Sequence, residues 1–223
     1  MDVLVVDDSV EYRSLATAVL SEAGHRVRGV PNLSEARLAF EAGPIDLVVL
    51  DLTLPDGDGL DFCSELRSKS SVYVIMLTGR TDEVDKLIGF RIGADDYITK
   101  PFSSRELAAR VSAMARRPRP QADVAKPSTF GSLTIDPAAR EVRVRETVVP
   151  LTKLEHELLA ALAASPNAVI TRERLRERVW GDNWYGDGHV VDVHMSKLRK
   201  KLSAAGAEDV IATVRGVGYR FSS

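Results

Sequence analysis

VLVVDDSVEYRSLATAVL, residues 3–20, decides the fold of the first half of the chain. Four apolar residues, 3–6, make a run too short for a helix, and then Tyr12, Leu15, Ala16, Val19 and Leu20 recur at helical spacing. A strand that hands over to an amphipathic helix opens a βαβ unit. The alternation continues outward. Apolar strand candidates follow at 27–30, 47–50, 72–77 and 97–99, with helices near 33–42, 59–68, 82–92 and 104–116. Asn32 with Glu35 three residues on predicts a capping box for the second helix. The pattern predicts an α/β domain, a doubly wound sheet of five parallel strands covered on both faces.

The rhythm stops at 116. Residues 116–128, RRPRPQADVAKPS, hold three prolines and no apolar periodicity, so we read 1–117 as one domain and 118–128 as a linker. In 129–223, strands at 133–135, 141–144 and 148–151 precede three helical stretches and a glycine-punctuated hairpin at 211–221. Strands followed by helices predict an α+β domain. The single cysteine, Cys63, excludes an internal disulfide and reads as a small apolar side chain. No leader is expected, and the longest nearly apolar stretch, 158–164, falls far short of the roughly 18 residues of a membrane span. A cytoplasmic protein without a membrane partner is the expectation. The net charge of -2 is unevenly spread: 1–117 carry 14 basic and 19 acidic side chains, 129–223 carry 14 and 12.

In a parallel sheet, ligands bind beyond the carboxyl ends of the strands. The residues there are Asp7 and Asp8, Asp51, Thr78 with Gly79, and Thr99, Lys100 and Pro101. Three carboxylates on one rim repel unless a cation joins them, and an all-oxygen set with room for phosphate suits Mg²⁺. Lys100 offers a compact cation, Thr78 a hydroxyl and Gly79 an unobstructed backbone. Asp51 is the expected nucleophile toward a phosphoryl donor. Singly, an Asp-Asp pair after a strand reads as a helix cap and Lys100 as a loop charge; together at successive strand ends they read as a site.

VVDD (5–8), DLTLPDGDG (51–59), LTGR (77–80) and GADDYITKPF (93–102) together resemble the CheY-like receiver domain of response regulators across 1–117. The resemblance implies that Asp8, Asp51 and the Thr53 carbonyl bind Mg²⁺, with Asp7 assisting through water. It further implies that a sensor histidine kinase phosphorylates Asp51, that Thr78 moves toward the phosphoryl group, and that Tyr97 turns inward, altering the face formed by the fourth and fifth helices and the fifth strand.

On the predicted helix at 188–202, Val191, Met195, Leu198 and Leu202 form one apolar stripe, and the opposite face carries His189, Val193, Ser196, Lys197 and Lys200, flanked by Arg199 and Lys201. Lysines suit phosphates, Ser196 a base edge and Val193 a thymine methyl. TRERLRERVWG (171–181), VDVHMSKLRKKL (191–202) and TVRGVGYRF (213–221) resemble the OmpR/PhoB-type winged helix. That resemblance implies a positioning helix ending at Trp180, a recognition helix after it, and a wing in which Gly216 and Gly218 allow a tight turn, with Thr213 and Arg215 near DNA. Residues 181–188 resemble the loop that touches RNA polymerase. His189 and Ser196 depart from the family's usual residues, and the loss of fixed charge predicts fewer phosphate contacts. Trp180 and Trp184 read as core or loop anchors.

By the same resemblance, Lys86 with Glu106 and Asp96 with Arg110 would pair across two receivers in a phosphorylated homodimer. Arg91 and Ser112 stand where a further family pair is missing. The leading expectation is a response regulator on promoter DNA that is not an enzyme beyond its own phosphorylation and dephosphorylation. The alternatives are a phosphorylation-independent DNA-binding regulator whose receiver only dimerises, and a phosphatase.

Overall fold

The computed structural model describes residues 1–79, 92–115, 127–137, 139–181, 184 and 189–222. These fall into two compact units, Met1–Ala115 and Arg116–Ser223.

In the first unit, β1 (Asp2–Val6), β2 (Arg26–Val30), β3 (Leu47–Asp51), β6 (Tyr73–Thr78) and β7 (Asp96–Thr99) form a parallel sheet in the order β2-β1-β3-β6-β7. Val3, Val5, Leu47, Val49, Ile75, Leu77 and Ile98 pack on one face against Ala16, Leu20, Leu107, Val111 and Met114. Those five come from α1 (Val10–Glu22) and α4 (Ser104–Ala115). Alternate strand residues point the other way, and Leu4, Val6, Val48, Leu50, Val74 and Met76 are equally buried there. On that side α2 (Leu33–Glu41) and α3 (Gly59–Lys69) supply Ala36, Ala39, Phe62, Cys63 and Leu66. Cys63 is a buried apolar side chain, as read. The expected helix at 82–92 lies almost wholly outside the described residues.

Two details differ from expectation. Asn32 does accept the Glu35 amide at 2.8 Å, but Glu35 returns the bond to the Asn32 side-chain amide rather than its backbone, so the box is only half made. Asp56 completes the cap instead, accepting the Leu33 and Ser34 amides at 2.8 and 2.9 Å. The DLTLPDGDG stretch also folds into a small hairpin, β4 (Thr53–Leu54) with β5 (Gly57–Asp58), before Asp58 caps α3 through the Leu60 amide.

In the second unit, β8 (Ser128–Phe130), β9 (Leu133–Asp136), β10 (Glu141–Val144) and β11 (Thr147–Val148) make an antiparallel sheet. Three helices follow: α5 (Lys153–Ala163), α6 (Arg172–Trp180) and α7 (Val190–Ala204). The unit closes with a sheet of β12 (Val169–Thr171), β14 (Gly218–Phe221) and β13 (Ile211–Val214). The strand expected at 148–151 is shorter because Pro150 has no amide to donate and Thr152 already caps α5 in a full capping box with Glu155. The first strand begins at Ser128, which the linker was expected to include.

Candidate functional sites

The register of the parallel sheet assembles the acidic site. Val6 lies beside Leu50, so Asp7, just past β1, and Asp51, the last residue of β3, come side by side; Asp51 lies beside Leu77, and Thr78 beside Thr99. Lys100 therefore emerges next to Thr78, whose carbonyl accepts the Lys100 amide at 2.7 Å, just before a cis Lys100–Pro101 peptide. The Lys100 ammonium sits 2.6 Å from Asp51 Oδ2 and 2.7 Å from Asp7 Oδ2. Asp7, Asp51 and Thr78 are buried and Asp8 is exposed.

Backbone donors fix the acids. Ser9 donates to Asp7 Oδ1 at 3.0 Å, and Thr53 to Asp51 Oδ1 at 3.2 Å. From the other side, the Arg13 guanidinium donates to the carbonyls of Asp7 and Asp8 at 2.6 and 3.0 Å. Gly59 must lack a side chain, since a Cβ there would overlap the Asp51 carbonyl oxygen. Burial pushes the Asp7 carboxyl above its ordinary range, Lys100 opposes that, and the charge of Asp51 adds to it. Burial alone would lower the Lys100 ammonium, but its bonds to Asp51 and Asp7 prevail and leave it raised.

Asp7, Asp8 and Asp51 each offer an oxygen within 4.8 Å of the others, a hard donor set that fits a small divalent cation. Together with Lys100 it suits a phosphoryl group: oxygen ligands for a counter-ion, a fixed ammonium for the product charge, and one carboxylate positioned as nucleophile. Thr53 adjoins this set. Tyr97, on β7, is buried in this conformation.

Three of the residues expected at a dimer face meet within one receiver. Within a single receiver Arg110 binds Asp96 at 2.8 Å and Glu106 at 2.8 Å, with Arg110 and Asp96 both buried. Asp96 and Arg110 are thus paired inside one chain. The reason is register: β7 lays Asp96 under the α4 turn that carries Arg110. Lys86 and Arg91 lie outside the described residues.

In the second unit, Val191, Met195, Leu198 and Leu202 are all buried along α7, as the wheel predicts. His189, Ser196 and Lys200 are exposed, and Val193 and Lys197 half-buried. Arg199 is also half-buried, its guanidinium 5.3 Å from the Tyr219 ring centroid. Lys201 is a correction. It turns away from the exposed face to Glu155 at 2.6 Å and the Pro150 carbonyl at 2.9 Å, tying α7 to α5.

Thr213 and Arg215 are exposed on the wing. Gly216 alone has a left-handed φ, +72°, in the turn. Gly218 serves another purpose: a Cβ there would overlap the Ile170 carbonyl oxygen, so it lets β14 lie against β12. Trp180 and Trp184 are buried, their ring centroids 5.9 Å apart.

One cluster escaped the sequence reading. Asp192, on α7, binds Arg172 at 2.7 Å and the Tyr219 hydroxyl, while Arg172 lies over the Tyr219 ring. Burial, then the bond to Asp192, pushes the Tyr219 hydroxyl up to about 12. The helices α6 and α7 and the strand β14 are joined at this ring. The available signal was Asp192 on an otherwise basic helix.

Comparison with known proteins agrees with both halves. Residues 3–112 match the family described as "Response regulator receiver domain", and residues 146–221 match "Transcriptional regulatory protein, C terminal". Among curated relatives, the transcriptional regulatory protein CseB of Streptomyces avermitilis is 39% identical, covering 99% of this chain and 97% of its own. The phosphate regulon transcriptional regulatory protein PhoB of Escherichia coli is 38% identical over 99% of this chain and 97% of its own. Among solved structures, a RitR mutant aligns with a TM-score of 0.82 at 30% identity over 100% of this chain and 99% of that one. The response regulator DrrB, a Thermotoga maritima OmpR/PhoB homolog, aligns with a TM-score of 0.53 at 32% identity, again over 100% of this chain and 99% of that one. With a receiver sheet carrying an acidic rim and a winged helix carrying an exposed basic face, the chain belongs to the OmpR/PhoB family of two-component response regulators, which act on transcription.

Proposed function

We propose that Asp51 is the phosphoacceptor and that its phosphorylation by a sensor histidine kinase favours receiver pairing and promoter binding. The observation that carries this is the Lys100 ammonium, held between Asp51 and Asp7 at the carboxyl ends of three strands. In the transfer, an Asp51 oxygen forms a bond to phosphorus while the donor's P–N bond breaks, its electron pair staying on the imidazole nitrogen. Lys100 is placed to hold the charge of the new acyl phosphate. Magnesium, when bound by Asp8, Asp51 and the Thr53 carbonyl with Asp7 beside them, supplies charge neutralisation at the same oxygens. Thr78 then follows the phosphoryl group, and Tyr97 on the adjacent strand reports it to the pairing face. This chemistry is confined to the protein's own acyl phosphate and makes it no general enzyme.

At the output, Lys197, Lys200 and Arg215 neutralise phosphates, His189, Val193 and Ser196 face the major groove, Thr213 supports the wing, and Arg199 braces Tyr219 behind it. Residues 181–188 lie outside the described residues for the most part and are assigned to RNA polymerase contact. Residues 1–117 act as receiver, 118–128 as linker and 129–223 as effector, in the cytoplasm. Labelling with phosphoramidate and Mg²⁺ tests the acceptor: wild type takes up phosphate and Asp51→Ala does not. Labelled Asp51→Ala refutes the assignment. Equal promoter affinity with and without phosphodonor, at matched salt, supports a phosphorylation-independent regulator instead.

A further inference from the structure

Tyr12 stands in the first turn of α1, its amide donating to the Ser9 hydroxyl at 3.4 Å. Its ring meets two residues from the far end of the receiver. Lys100 Nζ lies 4.5 Å from the ring centroid, and the Phe102 ring lies 5.4 Å away at a tilt of 33°. That same Nζ is the one bound to Asp51 and Asp7, and the Lys100 side chain is only 12% exposed.

A lysine has four rotatable bonds and a strongly hydrated head, so each contact beyond its two carboxylates narrows the position of the ammonium further. The negative face of an aromatic ring adds a third attraction from another side. Phe102, two residues beyond Lys100, packs against that ring, so the segment that carries the lysine also touches its support.

We propose that Tyr12 is a positioning residue for phosphoryl acceptance, holding the Lys100 ammonium beside the Asp51 oxygen where the product charge develops. The inference rests on Asp51 being the acceptor. With zwitterionic phosphoramidate, the Asp51 oxygen bonds to phosphorus as the P–N bond breaks, and the nitrogen keeps its electron pair and leaves as neutral ammonia. Tyr12 touches none of these atoms and acts only through Lys100.

The test uses the full chain, labelled by phosphoramidate with Mg²⁺. Asp51→Ala is measured first, and its labelling would refute the acceptor assignment before any Tyr12 variant is read. Tyr12→Phe keeps the ring face and should retain the wild-type rate. Tyr12→Leu should slow labelling by about three- to tenfold, the size of one lost cation–π contact. In a Lys100→Met background, Phe and Leu at this position should label at one common rate. If Tyr12→Leu fails to fold, Tyr12→Met carries the same comparison. Equal rates for Phe and Leu in the otherwise wild-type chain overturn the inference, as does a Leu defect that persists undiminished without the lysine.

Discussion

At Asp7, burial and the nearby Asp51 charge raise the affinity for a proton, and the Lys100 ammonium only partly offsets them. A carboxyl whose folded value exceeds its unfolded one stabilises the fold fully below the ordinary carboxylate range and loses that contribution as pH rises through the folded value. At neutral pH, then, the Asp7 charge works against folding. Asp7→Asn should raise the thermal midpoint in metal-free buffer near pH 7 and lose this advantage in acid; a lower midpoint at neutral pH would contradict it. His156 runs the other way. Burial, then the nearby Arg140, holds it below its ordinary 6.5, with Asp136 opposing. Its contribution is complete above that value and is lost as pH falls toward the folded value. His156→Leu should flatten the stability curve between about pH 7 and pH 5, as thermal scans would show.

Among the elements, the wing separates two uses of glycine. Gly218→Ala forces β14 off the Ile170 carbonyl and should destabilise the effector by about 1–3 kcal/mol in urea unfolding. Gly216→Ala meets open space and carries only the cost of its left-handed φ, about 1–2 kcal/mol. A neutral Gly218→Ala would remove the close-approach argument. The sequence could not separate these glycines, because it shows spacing but not which strand lies alongside. The same limit hid β12: three residues carry no period, and its partner Arg220 is far from Val169 in the chain. By contrast the α7 stripe and the rim of Asp7, Asp51, Thr78 and Lys100 were legible, since a helix repeats its pattern and each rim residue directly ends or follows an apolar run. Lys201 was misjudged because a wheel shows its direction but not Glu155 waiting there.

For the whole molecule, an acidic receiver and a weakly basic effector leave little long-range attraction to DNA, so local contacts must supply it. If, as proposed, Lys197, Lys200 and Arg215 each neutralise a phosphate, the bound effector makes about three such contacts, which gives a slope of roughly -3 in log affinity against log salt. If phosphorylation brings a second effector onto the site, the slope should approach about twice that value. Higher affinity with an unchanged slope, measured by salt titration of promoter binding, would mean that no second effector is recruited. The Phe130 and Phe221 rings meet edge to face, their centroids 4.8 Å apart, so the first and last strands of the effector are fastened at one point. A domain whose first and last strands are pinned together carries both of its chain ends away from one place, so it can be joined to another polypeptide there without reopening its core.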